Sequence, residues 1–336
     1  MVLWFSLLAS ATAAGFAVRH YVVVGVQPNG VILVPTGQAL TPAGAHIEVN
    51  DRPLGMVLNP AGNLLAVVTG SNFNPRALHI IDVTTKALMQ TLPIANSFVG
   101  IAFSPAGDRI YVGGGASDDV KVFSATPNGL FAADGSIPIP NASPSGLALT
   151  AGGERLYVAL NLLHEVAVID TATREVVTRI PVGTYPYTVL ASADGSKVYV
   201  SNWGGKRPGA DDFTDGMFPV VVDRRTGIPV SGTISVIDTS RNGVATTIDV
   251  GLHPTGMALG PGGDRVYVAN ANSDTVSVID TATDTLTNTL HVGRTGAGRV
   301  PVLGSAPNAV AVSSDGKTLF VANAAENAVA VVDANA

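Results

Sequence analysis

Apolar and polar residues alternate along most of this chain in short runs, with turn-forming residues between the runs. The pattern repeats. "RVYVANANSDTVSVIDTATDTL" (residues 265–286) returns as "RLYVALNLLHEVAVIDTATREV", as "KVYVSNWGG" followed later by "GTISVIDTSRNGV", and in shortened form as "TLFVANAAENAVAVVDANA". A period of two with β-branched enrichment predicts strands, and no helical period intervenes. The cleanest copy, residues 254–292, reads as four strands: a in "PTGMAL", b in "RVYVAN", c in "TVSVID" and d in "TLTNTLHV". Copies begin at Pro53, Phe98, Pro144, Pro186, Pro254 and Pro307. The most compact spacings, 98 − 53 = 45 and 186 − 144 = 42 residues, match a four-stranded propeller blade.

One such unit cannot fold alone. Ordering its backbone costs about 1 to 2 kcal/mol per residue, while each buried Val, Ile or Leu returns only about 1.5 to 3 kcal/mol. Neighbouring sheets must cover each other's faces. Short strands without helices favour radial packing, so the predicted fold class is an all-β propeller of four-stranded antiparallel blades spanning residues 30–336. "GVILVPTGQALTPAGAHIEV" (Gly30 to Val49) reads as strands c and d without a and b, and the copy from Pro307 supplies a, b and c. The expectation is a seven-bladed plan cut before ring closure, lacking about 30 residues by repeat length. A six-bladed ring with irregular closure is the alternative.

The repeats' own residues read as architecture. Asp82, Asp170, Asp238, Asp280 and Asp333 each follow strand c, where a carboxylate accepts N–H bonds of the next turn. One per blade, they cannot converge on a single ion. Asn202, Asn270 and Asn323 end b strands, and Gly55, Gly100, Gly146 and Gly256 permit close backbone approach near the axis.

Departures from the repeat are where function is to be sought. Trp203 to Gly232 interrupts the fourth copy between strands b and c, and Gly293 to Pro307 separates the fifth copy from the sixth. In an up-and-down blade the b–c and d–a connections emerge at the same end, so both insertions crown one mouth of the channel. Long connections in a compact fold are commonly functional. The candidate binding residues there are Phe98, Tyr185, Tyr187 and Trp203 as stacking surfaces, with Arg52, Asn202, His253 and Asn270 as polar groups. Asp211, Asp212, Asp215 and Asp223 form the one acidic cluster, offset by Lys206, Arg207, Arg224 and Arg225 and at spacings that fit no calcium loop. No metal or cofactor is assigned.

Composition narrows the partners. A net charge of −6 with 19 Lys+Arg lacks the basic patch that nucleic acid or anionic lipid needs. The absence of cysteine removes disulfides, thiolate nucleophiles and the usual structural zinc sites. "MVLWFSLLASATAAGFAV", residues 1–18, is an uncharged apolar run ending in small residues with Ala-x-Ala steps. It reads as an export signal truncated at its front, with a short membrane anchor or an adhesive end as the alternative readings of the same run; the expected compartment is periplasmic or secreted. The remaining chain holds no apolar stretch long enough to span a bilayer. Neither a Gly-x-Ser-x-Gly elbow nor a His-Glu-x-x-His motif is present, and "DGKT" (315–318) lacks the upstream glycine of a phosphate-binding loop.

"VYVANANSDTVSVIDTATDTL" resembles the YVTN-type repeat of the YncE-like β-propeller family of exported bacterial proteins, over about Gly30 to Ala336. "VILVPTGQALTPAGAHIEV", "YVSNWGG" leading into "VVVDRRTGIPVSGTISVID", and "VGLHPTGMAL" together resemble the N-terminal propeller of two-part proteins whose second domain is an alkaline-phosphatase-superfamily phosphoesterase. That resemblance implies catalysis in a downstream domain. Leu160 and Asn161 in "YVALN", and the loose second copy with "VYVGGG" and "VKVFSAT", depart from the repeat and weaken any repeated ligand site. The expected function is a non-catalytic, monomeric binding or scaffold module, meeting a protein domain or cell-envelope polymer at the inserted face. The alternative is a propeller hydrolase of the lactonase or calcium-dependent esterase type.

Overall fold

A computed structural model describes residues 25–335 apart from 29–30, 34–38, 42–43, 51, 71–74, 215 and 294–303. Two compact units divide the chain, residues 1–46 and 47–336. The expected export signal, residues 1–18, lies outside the described residues. In the first unit, Gly25–Val26, Ile32–Leu33 and Ala39–Leu40 form a three-stranded antiparallel sheet of two-residue strands.

That sheet corrects the expected half-blade at Gly30 to Val49. Pro28, Pro35 and Pro42, with Gly30, Gly37 and Gly44, punctuate the segment every few residues, and among the described residues its strands are two residues long. The second unit holds six blades among the described residues, in agreement with the six-bladed alternative and not with the seven-bladed plan. The first five have four strands each. Blade 1 comprises Pro53–Leu58, Leu64–Thr69, Ala77–Asp82 and Leu88–Pro93, and blade 2 comprises Ile101–Phe103, Arg109–Gly113, Asp119–Ala125 and Phe131–Pro138. Blade 3 is Pro144–Leu149, Arg155–Leu160, Glu165–Asp170 and Glu175–Pro181; blade 4 is Thr184–Ala191, Lys197–Gly205, Gly232–Asp238 and Gly243–Val250. Blade 5 is Pro254–Leu259, Arg265–Asn270, Thr275–Asp280 and Thr285–His291. Blade 6 has three strands, Pro307–Val312, Thr318–Asn323 and Ala328–Asp333. Every pairing is between sequence neighbours and antiparallel, with a bulge in the third–fourth strand pairing of each four-stranded blade.

The apolar core is divided among the blade interfaces. Five buried clusters join blade 1 to 2, 2 to 3, 3 to 4, 4 to 5 and 5 to 6. Tyr111, Tyr157, Tyr199 and Tyr267, at one position of strand b, are fully buried against the following blade. Two of their hydroxyls cross the interface: Tyr157 donates to Asn242 Oδ1 (3.1 Å) and Tyr199 to Asp284 Oδ1 (3.0 Å). Burial raises the pKa of both phenols, and for Tyr199 the Asp284 carboxylate adds to the rise, so each stays a donor.

Near the axis the first strands of successive blades almost touch. A side chain at Gly55 would strike Val99 O, one at Gly100 Ser145 O, one at Gly146 the Tyr187–Val189 backbone, and one at Gly256 Asn308 O at 2.8 Å. Hydroxyls tie neighbouring blades together there, Ser145 and Thr255 from first strands and Ser201 from the second strand of blade 4. Ser145 Oγ donates to Pro186 O (3.0 Å), Ser201 Oγ to Thr255 O (2.9 Å) and Thr255 Oγ1 to Pro307 O (3.3 Å). The aspartates after strand c bind their own turns, as the sequence suggested: Asp280 accepts from the N–H groups of Ala282 and Thr283, and Asp238 from that of Ser240. Hydrogen bonds from those turns hold both carboxyls below the usual carboxylate range.

Gly100→Ala tests the inner packing. The added methyl would meet Ser145 O and sit 3.1 Å from Gly146 Cα. The expected loss is about 1 to 3 kcal/mol, as for an overpacked core. Gly243→Ala, whose methyl meets nothing closer than Arg241 O at 4.0 Å, serves as control. Urea titration monitored by circular dichroism reads both, and equal midpoints for the two variants would remove the steric argument.

Candidate functional site

The b–c and d–a connections gather at one end of the blades, as the topology requires. There the residue before the blade-opening proline takes a left-handed backbone in four successive blades: Ser143 (φ 47°), Tyr185 (φ 51°), His253 (φ 61°) and Ala306 (φ 47°). Such conformations are uncommon for non-glycine residues and need outside support. At the entries of blades 3, 4 and 6 the preceding blade supplies it from a residue four or five positions after strand b. Asp274 Oδ1 accepts from the N–H groups of Ser305 (2.7 Å) and Ala306 (2.9 Å), and Asp118 accepts from those of Asn141, Ala142 and Ser143. In blade 3 the role passes to His164, whose Nδ1 accepts from the Tyr185 N–H at 3.1 Å.

At the same end, rings from these corners and from strand b of blade 4 meet one another across the mouth. Phe98 meets Tyr187 edge to face, with ring centroids 5.6 Å apart. Tyr187 stacks on Trp203 at 5.7 Å and an interplanar angle of 23°, and Trp203 meets the His253 ring edge-on at 4.0 Å. This continuous row runs from the entry of blade 2 to the entry of blade 5. A second group, His164, Tyr185 and Phe218, joins at 4.9 and 6.2 Å over the boundary of blades 3 and 4. Arg207 secures it, donating from Nε to Val182 O (2.6 Å) and from the guanidinium to His164 O.

Electrostatics keep the row largely neutral. Burial lowers the pKa of His253 to about 4, so the ring is uncharged at neutral pH, and its Nδ1 has no hydrogen-bond partner. Burial, then the Arg207 charge, lowers His164 as well. Burial raises the Tyr187 phenol, partly offset by the nearby charge of Arg52, which places that exposed guanidinium beside the row. Trp203, 37% exposed, is the most open ring of the four.

The expected residues therefore divide. Phe98, Tyr187, Trp203 and His253 are brought together, Arg52 lies at the edge, and Tyr185 belongs to the neighbouring group. Asn202 and Asn270 do not face the mouth, correcting their expected place there. Both are fully buried within their blades, where Asn202 Nδ2 donates to Thr233 and Ser235 hydroxyls and Asn270 Nδ2 to those of Thr275 and Ser277. Gly183 and Gly251 lie so close to these amides that a methyl group there would come within 2.6 to 2.7 Å of them. His164 and Phe218 escaped sequence reasoning. The signal for His164 was its spacing, four residues beyond strand b, shared with Asp274 and Asn327.

The insertion at Trp203 to Gly232 packs against blade 4 through buried Val220, Val221 and Val222. Its acidic residues do not converge: Asp212 pairs with Lys206 and accepts from Gly209 N–H, whereas Asp223 accepts from Arg225 and Thr226 N–H groups. Asp215 lies outside the described residues, as does most of the other insertion, residues 294–303. Among the described residues no three His, Asp or Glu side chains stand close enough to share a metal ion, and no helix is long and apolar enough to cross a membrane.

Comparison with known proteins supports this architecture at low sequence identity. A functionally unknown protein from Desulfotomaculum acetoxidans DSM 771 superposes with a TM-score of 0.55 and 16% identity, covering 77% of each chain. The chain carries a β-propeller. Kuenenia stuttgartiensis Hydrazine Synthase aligns over 87% of this chain and 99% of its own at a TM-score of 0.49 and 20% identity. In sequence, the chain is 24% identical over 237 residues to Antigen Lp49 of Leptospira interrogans serogroup Icterohaemorrhagiae serovar copenhageni (strain Fiocruz L1-130), covering 57% of this chain. The match spans 49% of that protein, about half its length. No family model matches the chain.

Because the folded pKa of His253 lies below its ordinary value, folding is favoured fully above pH 6.5, and this contribution falls away as pH drops through about 4. The imidazolium formed there stands 4.0 Å from the Trp203 ring. In a Trp4→Phe background, which leaves Trp203 as the sole tryptophan, emission is expected to be quenched with a midpoint near pH 4. His253→Phe should abolish that transition; a midpoint near the ordinary histidine value would show that the ring is not buried as described.

Proposed function

We propose that this propeller is a non-catalytic binding module whose working surface is the aromatic mouth. The observation that carries the reading is the unbroken row from Phe98 through Tyr187 and Trp203 to His253, assembled from blades distant in sequence and left partly open at Trp203. Flat aromatic surface with an exposed cation at its rim, Arg52, suits an apolar or planar face of a polypeptide or polymer segment. A row held by local turns and five interlocked blade interfaces is preorganised, so little ordering is lost on binding.

Within this reading the chain is a propeller of the YVTN type, exported to the periplasm or beyond. Its partner is a protein domain or a cell-envelope polymer, with a phosphoesterase domain of the same protein as one form of the former. The repeat "VYVANANSDTVSVID" and the leader-like residues 1–18 support this assignment. Asp238 and Asp280 serve their own turns and Asp274 a corner, in keeping with the binding role.

Trp203 is both contact and reporter. Titrating the Trp4→Phe protein with envelope polymers and with candidate protein domains should shift Trp203 emission for the true ligand. Trp203→Ala should weaken that ligand at least tenfold, or about 1.4 kcal/mol, while its circular dichroism spectrum stays that of the folded parent, and Trp203→Phe, which keeps an aromatic ring there, should bind more tightly than Trp203→Ala. Retained affinity in Trp203→Ala, measured by calorimetry, would move the site elsewhere.

A further inference from the structure

The side-chain hydrogen-bonding groups of the aromatic row are unevenly divided between donors and acceptors. The Tyr187 hydroxyl and the Trp203 Nε1–H have no acceptor among the described residues, and they belong to one stacked pair. Arg52 lies exposed beside Tyr187. An indole N–H and a guanidinium only donate, and a phenol donates readily. The acceptors at this end are committed elsewhere. Asn202 and Asn270 are buried within their blades, the Asp118 and Asp274 carboxylates and the His164 imidazole take the N–H groups of the corners, and His253 Nδ1 is enclosed.

A ligand matched to this surface is apolar, rich in acceptors and poor in donors. Proline has that character: it carries a backbone carbonyl but no N–H, and its ring is a compact apolar face. In a polyproline II segment the carbonyls bond to nothing within the helix, so each is available to an outside donor. Aromatic-lined surfaces recognise such segments, whose extended form is set before binding. The dimensions agree, because ring centroids 5.6, 5.7 and 4.0 Å apart along the row cover at most about five residues at a rise of about 3.1 Å each. A sugar polymer is matched less well: every hydroxyl is a donor as well as an acceptor, and the phenol is the one accessible side-chain acceptor that the described residues of the row present to it.

We infer that the aromatic mouth binds a proline-rich polypeptide segment in the polyproline II conformation, with proline rings packed on Phe98, Tyr187 and Trp203 and carbonyls accepting from the Tyr187 hydroxyl and the Trp203 Nε1–H. A carboxylate flanking the prolines meets Arg52, which gives the segment a preferred acidic end. The inference rests on the reading of the mouth as the working surface and narrows it to one class of partner. Hydrogen bonding to carbonyls supplies register along the segment, and ring packing supplies most of the buried apolar area.

The test uses the full chain and a fluorescein-labelled peptide of eight prolines followed by two glutamates. Anisotropy should show saturable binding, at least tenfold tighter than for a peptide in which Gly-Ser repeats replace the prolines, and tighter than for one ending in two lysines. Tyr187→Phe and Trp203→Phe each keep a ring and lose the donor, and each should weaken the proline peptide about threefold or more, as for loss of one hydrogen bond. Arg52→Ala should remove the preference for glutamate over lysine. Equal affinity for the proline and Gly-Ser peptides, read on the unaltered protein, would overturn the inference, as would undiminished binding to both ring-retaining variants. A proline peptide that does not bind, beside an envelope polymer that shifts Trp203 emission, would overturn it and leave the mouth as the working surface. Proline-peptide affinity retained in Trp203→Ala would overturn both readings.

Discussion

Each blade of this protein has a face that only another sheet can cover, and the rest of the structure depends on how closely that second sheet can approach. At the axis the limiting contact is backbone against backbone, which is why Gly55, Gly100, Gly146 and Gly256 stand where any side chain would collide with the neighbouring strand. Beyond the first strands, larger residues fill the gap, Val and Leu of the middle strands together with the buried tyrosines of strand b. Ser145, Ser201 and Thr255 then use the closeness of the inner strands to donate across it, so polar groups at the narrowest point are satisfied by the next blade.

The mouth follows from the same constraint. Where two blades nearly touch, the chain must turn sharply from the outer strand of one to the inner strand of the next, and proline opens the inner strand. The residue before it is driven into a left-handed conformation, which Asp118, His164 and Asp274 stabilise by capping the exposed N–H groups. His253 shares that backbone conformation, and its ring meets Trp203. The candidate site is thus a consequence of the corner geometry. What distinguishes blades 4 and 5 from the others is which side chains occupy the corners.

This explains how much could be read from the sequence. Period-two alternation, the opening prolines and the aspartates after strand c marked blade boundaries closely, because each reports a local requirement of backbone or turn. Grouping Phe98, Tyr187, Trp203 and His253 at one end needed only strand order. The amides of Asn202 and Asn270 were misplaced because an asparagine ending a strand suits a turn as well as a buried amide. The deciding features were the hydroxyls two residues apart on the partner strand, Thr233 with Ser235 and Thr275 with Ser277, and the glycine of the preceding corner. The half-blade at Gly30 to Val49 was over-read for a related reason: its apolar content matched a blade, but its proline and glycine spacing did not permit one.

The repeat also supplies an internal standard against which each blade can be judged. A position buried in three blades and exposed in a fourth cannot be attributed to the chemistry of the residue, since Val166, Val276 and Val329 are the same amino acid at the same place in the fold. The difference lies in what stands opposite. Burying such a valine is worth about 1.5 to 3 kcal/mol. At the mouth the same comparison runs the other way: Ser143 and Ala306 are small where Tyr185 and His253 are large, although all four share one backbone conformation. Corner geometry alone does not demand rings at those two positions, which leaves the surface they build, rather than the stability of the turn, as the property they serve.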